Sequence, residues 1–181
     1  STGFGWPAVA ALGRMDLATV PNLLPTADRA RIRQSVVDAG APYLQTLYGQ
    51  AYGLPLPGNS GHYFWGSNSN IINNIIVMAT AYDLTGDIGF RNGALQGMDY
   101  IFGRNALNHS YVTGWGEKSP QNQHSRIFAH QFDQVVQGQR SFDFPFVPFL
   151  FDQWFLLVEL VLNLSDQLFQ DVLERHQTER P

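Results

Sequence analysis

The sequence predicts an all-α fold of antiparallel helical hairpins with long loops, fitting an α/α toroid or a bundle. Three observations carry this expectation. Apolar residues recur at helical spacing in three segments before residue 103; no convincing period-two strand pattern appears; and loops rich in glycine, proline and aromatics alternate with the helices. The first predicted helix runs from about Ala27 to Gly49, opened by Pro25-Thr26 with Thr26 as its N-cap. Ile32, Val36, Val37, Tyr43, Leu44 and Leu47 form its apolar stripe, and Pro42 predicts a break or kink. The second spans about Ser69 to Thr85. Ile71, Ile72, Ile75, Ile76, Ala79 and Tyr82 face inward, Asn70, Asn73 and Asn74 read as a polar face, and Gly86 is the stop. The third spans about Phe90 to Phe102, with Ala94, Leu95, Met98, Ile101 and Phe102 inward and Gly103 as its stop. The link between the second and third is so short that the two must lie antiparallel. The opening stretch and Gly53 to Asn68 read as loops.

Composition limits the function classes. At 181 residues with 44% hydrophobic and 14% charged residues, the chain suits one globular domain with a real core. A formal net charge of -4 with no basic cluster argues against nucleic-acid and anionic-membrane partners. There is no cysteine, so disulfides and thiolate metal sites are excluded. STGFGWPAVAALG carries no basic region of the kind that opens a signal peptide, and the chain starts abruptly, as a fragment would. The most apolar run, FPFVPFLFDQWFLLVELVLNL, is interrupted by Pro145, Pro148, Asp152 and Glu159, which argues against a membrane span.

The style of the sequence changes near the end. All 17 glycines lie at or before Gly138, whereas seven of the 13 phenylalanines follow it. Residues 135–181 therefore read as a divergent tail, helical from about residue 151, with Leu156, Leu157, Leu160, Leu164, Leu168 and Val172 on one face. A divergent terminus, a chimera and a shifted reading frame would each look like this.

The run SYVTGWGEKSPQNQHSR, residues 110 to 126, is too punctuated for a helix and too long for a turn. Long loops of this kind in compact domains are commonly functional. His124 and Arg126 are i, i+2 neighbours, so in extended backbone both point to one face. An imidazole and a guanidinium together present N–H donors in fixed planes, suited to hydroxyls or a carboxylate. Tyr63, Phe64 and Trp65 form an aromatic platform before the second helix, suited to stacking on the C–H faces of sugars and equally to packing a loop on the core. Ser67, Asn68 or Ser69 would cap that helix. The five histidines show no metal-ligand spacing, and no nucleophile elbow or phosphate loop is present. No cofactor is implied; Asp83 and Asp87 could approach calcium, though a polar turn explains them as well.

Taken together, HYFWGSNSNIINNIIVMATAYDLTGD and GALQGMDYIFGRNALNHSYVTGWGEKSPQNQHSR resemble glycoside hydrolase family 9, the cellulase and endoglucanase family. FGWPAVAALG and LYGQAYGLPLP are in its style, and the resemblance covers about residues 1–134. Ser110, Tyr111, Val112, Thr113, Gly114, Gly116, His124 and Arg126 match the family's histidine-containing active-site signature. The resemblance implies a partial (α/α)6 barrel, a secreted enzyme, and hydrolysis of β-1,4-glucan with inversion. It also implies that His124 is the active-site histidine and that Arg126 helps hold the sugar. Trp65 and Tyr63 then resemble the aromatic lining of the glucan cleft, with Tyr111 and Trp115 as further sugar contacts.

Two departures qualify that implication. Gln123 and Ser125 flank His124 where the family usually has Pro-His-His-Arg or a close variant. Inverting hydrolysis also needs two carboxyl groups about 6.5–9.5 Å apart, one protonating the leaving oxygen and one activating water. The family's Asp-Ala-Gly-Asp base motif is absent from this sequence, and Asp38 in Val-Asp-Ala-Gly-Ala sits within a predicted helix. The Asn-Glu-Val context of the acid is absent too, and Glu159 on the tail helix is a poor substitute. The 181 residues are therefore expected to lack turnover alone, and too few hairpins are present to close a barrel. A non-catalytic glucan-binding module and a purely structural helical fragment remain as alternative readings.

Overall fold

The computed structural model describes residues 4–5, 8–58, 63–64 and 66–120. Four helices are present among them, α1 (Ala10–Thr19), α2 (Thr26–Tyr48), α3 (Ser67–Thr85) and α4 (Ile88–Phe102), with no strand beyond one isolated bridge between Gly5 and Ala8. The predicted tail helix lies outside the described residues.

α1 falls in a stretch that the sequence presents as loop. Its stripe is only Ala11, Met15 and Ala18, and Gly13 weakens its propensity. Tertiary packing makes it a helix: Ala11, Arg14 and Met15 face Ser35, Val36 and Ala39 of α2, and the Arg33 guanidinium donates to the Ala18 carbonyl at 3.1 Å. With no glycine stop, the Asn22 amide ends the helix by donating to the carbonyls of Leu17 (2.9 Å) and Val20 (2.8 Å).

α2 starts differently from the expectation. Pro25 occupies the N-cap position, no side chain caps the helix, and Thr26 is its first helical residue. A proline there sets the backbone before the first turn without needing an N–H of its own. The predicted break at Pro42 is absent, and α2 runs through it. Pro42 is exposed, so water can reach the carbonyl that its missing N–H leaves free.

α3 is the central helix and packs against the other three. Every residue from Ile71 to Ala81 is buried, the pattern of a helix apolar on all sides. Each of its isoleucines contributes about 1.5–3 kcal/mol relative to an exposed position. The expected polar face is not one. Asn73 and Asn74 are buried, donating to the carbonyls of Phe4 (3.0 Å) and Pro55 (2.8 Å). Buried amides persist when bonded, and these two spend their donors tying loops to the helix. The expected side-chain N-cap is also missing. Gly66, at φ 76°, holds that position, and Ser69 Oγ donates back to its carbonyl. At the other end Gly86, at φ 71°, is the left-handed stop that the sequence indicated.

Asp87 N-caps α4, accepting the Gly89 N–H at 2.9 Å. With only Gly86 and Asp87 between them, α3 and α4 fold back on each other. Gly97 meets Ile75 and Gly93 meets Met78, so positions run up one helix as they run down the other. A Cβ on Gly97 would lie 2.7 Å from Ile75 Cγ1, and one on Gly93 would lie 2.6 Å from Leu44 Cδ1. The absent side chains permit this close approach. The start of α3 and the end of α4 therefore share one end of the hairpin.

Candidate functional site

Three segments converge at that end. The loop between α2 and α3 is anchored by the Asn74–Pro55 bond, and it passes α4 so closely that a Cβ on Gly53 would lie 3.1 Å from Gln96 Oε1. Further along, the Tyr63 ring sits over Gly58, while Tyr63 (44%) and Phe64 (57%) remain exposed. The third segment is the loop after α4.

That loop is built from polar staples. Arg104 N–H returns to the Asp99 carbonyl at 2.8 Å. The buried Asn105 amide bonds the backbone at Tyr100, Leu107 and His109. Asn108 takes φ 46°, a left-handed conformation that asparagine tolerates. Ser110 N–H donates to Lys118 O and Tyr111 N–H to Ile101 O, both at 2.8 Å. Gly114 (φ 74°) and Gly116 (φ 81°) turn the chain between these ties.

The result is a row of aromatic pairs. Tyr111 lies against Tyr100, with ring centroids 5.7 Å apart and planes at 44°. Trp115 lies against Phe102 at 5.3 Å and 48°. His109 stands 6.5 Å from Tyr111. Burial, then the neighbouring Tyr111 with its hydrogen bond, then Tyr63, hold the Tyr100 hydroxyl well above the ordinary tyrosine range, so it stays protonated. Beside the Trp115–Phe102 pair lies an open cleft of about 440 Å³ lined by Asp99, Arg104, Asn108, Ser110, Glu117 and Lys118, among others. Half-exposed rings beside hydrogen-bonding groups suit a hydroxyl-rich, flat-faced ligand.

The residues singled out from sequence divide accordingly. Tyr63, Tyr111 and Trp115 lie at this end of the hairpin, whereas Trp65, His124 and Arg126 lie outside the described residues. Tyr100 and Asn105 were not singled out. Tyr100 sits in the last turn of α4, off its inward stripe, which is the signal that could have found it. Asp87 uses its carboxylate as a cap, and among the described residues no three His, Cys, Asp or Glu side chains cluster as a metal site would require.

Comparison with known proteins adds ancestry to this geometry. A sequence profile of Glycosyl hydrolase family 9 matches residues 2–147. Endoglucanase C of Cellulomonas fimi is 58% identical over 131 residues, covering 72% of this chain and 12% of that protein. A cellulose 1,4-beta-cellobiosidase of Acetivibrio thermocellus is 42% identical over 131 residues, covering 71% of this chain and 15% of that protein. The crystal structure of a metagenome-derived glycoside hydrolase family 9 endoglucanase superposes with a TM-score of 0.62 at 33% identity, over 68% of this chain and 22% of that one. The chain thus spans less than a quarter of the length of each of these proteins, and its helices correspond to part of the family's (α/α)6 barrel. The profile match and these two sequence identities place the chain in glycosyl hydrolase family 9.

Proposed function

We propose that residues 110–126, with the aromatic run at 63–65, form one wall of a β-1,4-glucan cleft. Tyr63, Trp65, Tyr111 and Trp115 stack on glucose rings, Arg126 holds the sugar, and His124 acts at the cleavage point. The observation that supports this most directly is the polar stapling of residues 103–120, which holds Tyr111 and Trp115 against the end of α4 beside the Tyr63 segment. The complete reaction of such a cleft is hydrolysis with inversion, outside the cell, using a carboxylic acid and a carboxylate on opposite faces of the bond. This sequence contains neither motif that supplies those groups, so the 181-residue polypeptide is a glucan binder without turnover. No helix among the described residues is long and apolar enough to cross a membrane.

Titration of the purified chain with cello-oligosaccharides, followed by tryptophan fluorescence, tests the binding. A saturable change is expected; no change from a protein with a helical far-UV spectrum sinks the reading. Release of reducing ends from carboxymethyl-cellulose tests the second half, and any turnover above background would overturn the claim of inactivity.

A further inference from the structure

We propose that Asn105 is a positioning residue for this binding face: its buried side chain locks the backbone around His109 to the end of α4 and thereby sets Tyr111 against Tyr100. The inference rests on the glucan-binding reading of the face. Asn105 is only 7% exposed, and its amide is fully used. Nδ2 donates to the Tyr100 carbonyl at 2.9 Å and to the His109 carbonyl at 2.8 Å. Oδ1 accepts from the N–H groups of Leu107 at 3.1 Å and His109 at 3.4 Å. An asparagine side chain has two donors and an acceptor with two lone pairs, so all four places are filled.

The effect is local and directional. The Tyr100 carbonyl belongs to the last turn of α4, where it also accepts the Gly103 N–H at 3.3 Å. His109 is held at both its N–H and its C=O by one amide, so the peptide planes on either side of it are fixed. The next two residues then find their own ties, Ser110 to Lys118 and Tyr111 to Ile101. Tyr111 emerges from a backbone constrained on both sides, which holds its ring 5.7 Å from that of Tyr100. Aspartate keeps the shape but turns an oxygen toward two carbonyls, serine is too short, and glutamine is displaced by a methylene. All four partners lie between residues 100 and 109, so the residue acts on the loop and not on the packing of α1, α2 and α3.

Asn105→Ala and Asn105→Asp in the 181-residue chain test this, read by far-UV and near-UV circular dichroism and by calorimetric titration with cellohexaose. Positioning predicts an unchanged helical spectrum, a weakened near-UV tyrosine band, and cellohexaose affinity lowered by about tenfold or more, a loss of about 1.4 kcal/mol. A wild-type near-UV spectrum accompanied only by a lower melting temperature overturns the proposal. So does loss of the helical signal in both variants, which would make Asn105 a folding residue. Should the unaltered chain not bind cellohexaose, the glucan reading fails, and the near-UV comparison still decides whether Asn105 sets Tyr111.

Discussion

In α3 every residue from Ile71 to Ala81 is buried, and most are apolar; in the loop of residues 103–120 the only buried residues are Asn105, Ser110 and Ser119, all polar. One region is held by removing apolar surface from water, the other by satisfying backbone groups at fixed distances. Burial is nondirectional and gives a stable body. Hydrogen bonds are directional and leave the aromatic rings half-exposed, where a ligand can reach them. The comparison separates the part that makes the fold from the part that presents a surface.

The largest predicted effect tests the burial side. Met78 is fully buried between α3 and its neighbours, so Met78→Ala leaves a cavity and should cost about 2–5 kcal/mol in urea unfolding. A loss below 1 kcal/mol would mean that α3 is not the packing centre. Next, Asn73→Ala removes a buried donor and orphans the Phe4 carbonyl, for an expected loss of about 1–3 kcal/mol in the same assay. Were the change neutral, the buried asparagines of α3 would be incidental to its packing.

Trp115→Ala should lower stability by less than Met78→Ala, giving up a half-exposed ring and a pairing with Phe102 worth about 0.5–1.5 kcal/mol beyond buried area, while removing part of the fluorescence response to cello-oligosaccharides. A stability loss as large as that of Met78→Ala would erase the distinction between body and loop. The smallest effect concerns pH. Tyr100 is raised in the folded state, so it is neutral in both states below about pH 10 and costs nothing there. Above that pH the unfolded chain loses the proton and the folded one keeps it, so stability falls as pH rises. Tyr100→Phe should flatten that alkaline slope, as measured by melting temperatures between pH 9 and 11.

The same division explains what could be read from the sequence. The apolar stripes of α3 and α4 and the glycines at 86 and 103 locate these helices to within two residues of their ends. α1 escaped because Ala11, Met15 and Ala18 make a stripe too slight to stand out without α2 beneath it. The types of Asn73 and Asn74 predict a polar face because residue type says nothing of whether a loop carbonyl waits opposite. At the site, the signature in residues 110–116 and the aromatic run at 63–65 drew notice by their types. Tyr100 and Asn105 act through pairings that exist only once α4 ends and the chain turns back, and no spacing announces those.

The bond from Asn73 to the Phe4 carbonyl joins positions 69 apart along the chain. Closing so long a loop carries an entropic cost that local helix formation does not. The segment around Phe4 has no such anchor until α3 exists, whereas the α3–α4 hairpin can close across its two-residue link. On the ribosome, the segment around Phe4 is therefore made before α3 yet gains this tie only after it, and a nascent chain stalled before residue 73 would lack the bond altogether.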